Sequence, residues 1–121
     1  MRVFKLGEPI FKSETLFILG CSFETFARLL KRRYRCDAGD FIGQCGQTFR
    51  FPDRSPWRCV WTSTTETSVI LHEVFHLVTR ICQDKGVPIV AHHPNGESGD
   101  ETATYLFEYY ATRVLRRGRK S

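Results

Sequence analysis

The stretch "SVILHEVFHLVTRICQ", residues 68–83, constrains this chain more than any other. Val69, Ile70, Val74, Phe75, Leu77, Val78 and Ile81 recur at helical spacing, which predicts a long helix buried on most sides. Ser63 to Thr65 offer its N-cap, and Gly86 with Pro88 stop it after about Lys85. At its centre stand His72, Glu73 and His76, an H-E-x-x-H arrangement. Residues four apart share one face of a helix, so both imidazoles can aim at a single point. Neutral imidazole nitrogen binds zinc at about 2.0–2.1 Å. Glu73 lies one position along and sits beside that point, where a carboxylate can act as general base. A helix that merely carries two histidines is the alternative. Burying the trio among apolar neighbours without a partner would be costly, which favours a metal.

A catalytic zinc keeps three protein ligands and one open position. An H-E-x-x-H-x-x-G-x-x-H pattern is excluded, because Thr79 and Cys82 occupy its last two fixed positions. Cys82 also lies about one and a half turns beyond His76, on a different side. The remaining candidates for the third ligand are His92, His93, Asp100 and Glu101. Glu101 opens the last helix in "GDETATYLFEYY" and is the preferred choice. Its plainer role is a first-turn acid favoured by the helix dipole. Hydrolysis also needs a donor for the developing oxyanion. Tyr105, Tyr109, His92 and His93 are candidates, with Tyr105 carried forward as the catalytic one.

A chain of 121 residues has room for one domain, spanning 1–121. "MRVFKLGEPIFK" predicts one strand before a Gly7–Pro9 break. "CSFETFARLLKRRYR" predicts a helix capped by Ser22, with Phe23, Phe26, Leu29 and Leu30 as its apolar stripe. Short alternation in "QTFRF" and in "WRCVWTS" predicts two strands, the second with Trp57, Cys59 and Trp61 on one face. A final helix runs from about Asp100 to Arg117, its core stripe Phe107, Tyr110, Ala111, Val114 and Leu115. The expected class is α+β: a small antiparallel sheet packed on a metal-bearing helix, with one helix before it and a C-terminal helix after.

Five scattered cysteines without a C-x-x-C pair argue against a disulfide framework or a cysteine zinc knuckle, and fit a reducing, cytoplasmic setting. "LFILGC" looks like a lipoprotein cleavage site. Its apolar run is short and Glu8 and Glu14 lie upstream, so no signal peptide is expected. No stretch approaches the roughly 20 apolar residues of a membrane span. The net charge of +5 is concentrated in "RLLKRRYR" and "RVLRRGRK". Neither run matches a known nucleic-acid reader, so nucleic acid is the last-ranked partner.

"HEVFH" followed about 25 residues later by "DETATYLFEYY" resembles the small zincin-like metallopeptidases of the gluzincin type, and is similar to compact H-E-x-x-H proteins of phages and prophages. The resemblance covers roughly residues 57–115. It implies a zinc-dependent peptidase acting on a peptide or protein, with an edge strand that binds the extended substrate. By position, it implies His72, His76 and Glu101 as zinc ligands and Glu73 as the base. Larger gluzincins often place an acid four residues after their glutamate, where this chain has Tyr105; Asp100 or Glu108 could orient a ligand histidine instead. The competing reading keeps the metal without catalysis, in an interaction protein whose zinc ties two helices together.

Overall fold

The structure, a computed structural model, describes residues 1–39, 44–51, 58–87 and 99–119. Strands β1 (Arg2–Gly7) and β2 (Glu14–Leu19) form an antiparallel hairpin, with Phe4 opposite Phe17. Helix α1 (Phe23–Tyr34) follows, then β3 (Gly46–Arg50) and β4 (Arg58–Thr62). β4 runs parallel to β2, Phe17 facing Val60, and β3 pairs antiparallel with β4. The sheet order is β1-β2-β4-β3.

The class is α+β, but the sheet is mixed where an antiparallel one was expected. The connection through α1 is the physical reason: a helix between two strands returns the chain to its starting end, so the next central strand runs parallel. β2 was not anticipated as a strand at all. Its "TLFIL" is buried throughout, because a central strand covered on both faces reads as a continuous apolar run without alternation. β4 is likewise buried at all five residues. Cys59 and Trp61 do share a face, as expected, while Trp57 lies outside the described residues.

α1 lies on one face of the sheet. The Ser22 hydroxyl accepts from the Thr25 amide at 3.2 Å, the expected cap. Phe26 and Leu30 are fully buried, with Phe23 and Leu29 packed beside them. Phe26 stacks on Trp61 with centroids 4.9 Å apart, and Lys31, Arg32 and Arg33 sit in the last turn, where the helix dipole favours cations. Helices α2 (Thr67–Asp84) and α3 (Gly99–Arg119) cover the opposite face. Phe17, Leu19 and Val60 pack there against Ile70, Val74, Leu77, Tyr110 and Val114.

α2 starts later than expected. Glu66 holds the N-cap position without a side-chain bond, and Ser63 and Thr64 form a turn instead: the Glu66 amide donates to the Thr64 hydroxyl at 3.1 Å. In α3 the buried large side chains among the described residues are Leu106, Tyr110 and Val114, with Phe107 and Leu115 only partly covered. Leu106 therefore takes the central place that the sequence pattern assigned to Phe107. No helix among the described residues is long and apolar enough to cross a membrane.

Candidate metal and catalytic site

α2 presents its motif on the side nearest β3, one of the two edge strands. The Nε2 atoms of His72 and His76 lie 3.1 Å apart, with the rings edge-on. Two nitrogens bound to one tetrahedral zinc at about 2.0–2.1 Å would be about 3.3 Å apart, so the pair fits a shared metal within a few tenths of an ångström. The same spacing is also that of an N–H···N hydrogen bond between two imidazole tautomers. Both rings are exposed, His72 by 67%. This corrects the burial argument: α2 keeps a solvent face through Ser68, His72, Phe75, His76, Arg80 and Gln83, and Phe75 is itself 59% exposed. Exposed histidines need no metal to satisfy them.

Glu73 is different, at only 6% exposure. Its Oε1 accepts the Thr48 hydroxyl at 2.9 Å, and that hydroxyl also lies 3.2 Å from the Glu73 carbonyl oxygen. Its Oε2 points toward His72, 4.0 Å from Nε2. Gly46, two residues before Thr48 on the same face of β3, makes room for this carboxylate. A Cβ there would stand 2.9 Å from Glu73 Cγ and 2.9 Å from the Trp61 carbonyl oxygen. The edge strand thus holds the carboxylate beside the histidine pair. Ser63 donates to the Cys45 carbonyl through its amide at 2.8 Å and its hydroxyl at 3.1 Å, tying the start of β3 to the turn before α2. Gln44, Gly46, Ser68, His72 and Glu73 line an open recess of about 410 Å³.

Glu101 sits exposed in the first turn of α3. Among the described residues, no group of three or more His, Cys, Asp or Glu is placed to hold a metal ion. His92 and His93 lie outside the described residues, and only the backbone of Asp100 is described. Tyr105 is 47% exposed, stacks on Tyr109, and lines a separate recess with Glu108, Thr112 and Arg113. The site as described therefore has two imidazoles and a fixed carboxylate. Gly46 and Thr48 were not singled out from the sequence. Their only signal is their i, i+2 spacing on a short strand, which names a shared face but not a partner.

Comparison with family models, with curated proteins and with solved structures finds no match to this chain.

Proposed function

We propose that this chain is a zinc-dependent peptidase in which His72 and His76 hold the metal and Glu73 is the general base. The observation that supports it most is the seat of Glu73. A carboxylate is fixed beside two converging imidazoles, within reach of their neighbourhood yet outside a ligand position. Zinc bound there would supply a Lewis acid and bring the pKa of water down to about 7.

The rest of the chemistry belongs to the chain. Thr48 engages Oε1 and so fixes the carboxylate, leaving Oε2 on the His72 side as the atom that takes a proton from the attacking water. The same carboxylate can return that proton to the leaving amine. β3 is last in the strand order and lies beside the recess, a position that suits an extended peptide added as another strand. Glu101, His92 or His93 is proposed as the third donor, and Tyr105, which lines a separate recess, is given no part in this reading. A purely structural zinc would have no use for a carboxylate held in this way.

Elemental analysis of protein purified without a histidine tag tests the reading. Wild type and Glu73→Gln should each hold about one zinc, and His76→Ala should lose it. Loss of zinc in Glu101→Ala would make Glu101 the third donor. Glu73→Gln should then lower any peptide hydrolysis about 100-fold or more. A wild-type protein that carries no zinc and cannot be loaded with it would sink the proposal.

A further inference from the structure

The C-terminal end of α2 carries a second polar recess, about 240 Å³ in volume. His76 and Asp84 are eight residues apart, roughly 12 Å along the helix axis, so this recess is separate from the histidine pair. Lys12, Arg50, Arg58 and Lys85 line it, with Asp84 as the one carboxylate among the lining residues. Arg58 is 5% exposed. One of its terminal N–H groups pairs with Asp84, and its Nε is buried without a partner among the described residues. A buried guanidinium has five donors to satisfy, and leaving them short of acceptors is costly.

Lys12 reaches the recess from a different element. It adopts a left-handed backbone (φ 57°), which is uncommon for a residue with a side chain. Glu8 fixes that turn, accepting from the amides of Ile10 at 2.7 Å, Phe11 at 3.0 Å and Ser13 at 2.9 Å, and from the Ser13 hydroxyl at 2.8 Å. The Glu8 carboxylate is committed to the turn and does not line the recess. Lys85 closes the other side, its ammonium 5.9 Å from the Phe11 ring centroid. Attraction to the helix C-terminus accounts for Lys85. It accounts neither for Lys12, on another element, nor for the burial of Arg58.

We propose that this recess is an anion-binding site for a phosphate group. Lys12, Arg58 and Lys85 against the Asp84 carboxylate match a doubly charged oxyanion, and such an ion offers the acceptors that a guanidinium fork pairs with in parallel. The volume falls below the usual range for a drug-sized ligand, about 300–1,000 Å³, so the recess takes a small ion or one group of a larger molecule.

Isothermal titration at constant ionic strength, with chloride as the balancing ion, tests this using inorganic phosphate and phenyl phosphate. Lys12 and Lys85 are exposed, so Lys12→Gln/Lys85→Gln should fold normally. It should bind phosphate about tenfold or more weakly than wild type, with each single variant intermediate. Lys31→Gln/Arg116→Gln removes the same charge from exposed positions elsewhere and should bind as wild type does. Equal binding of phenyl phosphate would assign the site to phosphate esters; binding of inorganic phosphate alone would assign it to the free ion. No heat from either probe, or equal losses in the two double variants, would overturn the proposal.

Discussion

The two faces of the sheet are built on different terms. Toward α1, the strands contribute Leu16, Ile18, Cys59 and Trp61, and the principal polar atom among them, Trp61 Nε1, donates to the Cys21 carbonyl at 3.0 Å. Toward α2 and α3, the same strands bury Thr15, Thr48, Arg58 and Thr62 around an apolar centre of Phe17, Leu19 and Val60. Alternation along a strand explains how neighbours in sequence serve both purposes. The α1 face is built mainly of apolar side chains. The α2 face places its polar groups at the margins, where Thr48 meets Glu73 and Arg58 meets Asp84. Polar groups gathered at one face of a buried sheet are where the candidate chemistry lies.

Trp61→Ala should strike the first face hardest. Trp61 is fully buried and stacked on Phe26, so its loss should cost about 3–5 kcal/mol, and the Cys21 carbonyl would lose its indole donor. Denaturant unfolding measures this. A loss below about 1 kcal/mol would mean that the α1 layer is loosely packed, and the contrast between the faces would fail.

Gly46→Ala separates packing from site-building on the second face. Its new Cβ would collide with Glu73 Cγ and with the Trp61 carbonyl, and a destabilisation of about 1–3 kcal/mol is expected. Removing the Glu73 side chain as well should relieve part of that strain. In a double-mutant cycle the two changes should couple by about 0.5 kcal/mol or more. Additive effects would mean that β3 does not hold the carboxylate.

The sequence exposed some of this and hid the rest for identifiable reasons. Ser22, Phe26 and Leu30 announced α1, because a cap and a helical stripe are local signals. His72, Glu73 and His76 announced themselves by spacing alone, and the structure converges the two rings. "LFIL" did not read as a strand, since burial on both faces erases the period of two. The exposure of the histidines was misread because Phe75, a large apolar residue, stands on the solvent face of α2 and made the helix look buried all round. Gly46 and Thr48 belong to the site only through the approach of β3 to α2, and Arg58 only through β4 and the end of the same helix. Contacts between distant segments leave no mark in a short window of sequence.

Tyr110→Phe should have the smallest effect at neutral pH, and pH sharpens it. Tyr110 is fully buried at the α3 contact with the sheet, and its hydroxyl lies near those of Thr15 and Ser13 without a well-formed hydrogen bond. Burial raises its pKa from 10.0 to about 12, against a partial opposing pull from those hydroxyls. A raised pKa means that the folded chain holds the proton more tightly than the unfolded one. The resulting stability is fully present below pH 10 and is lost as pH rises from there toward about 12. Below pH 10, removing an unpartnered hydroxyl should change stability by less than about 0.5 kcal/mol, or raise it slightly. Above pH 10, wild type should lose stability faster than Tyr110→Phe, because the variant has no phenol to ionise. The other titrating groups are common to both proteins and cancel in the difference. Parallel stability curves for the two proteins up to pH 12 would mean that the phenol already meets water, and that the second face is open at α3.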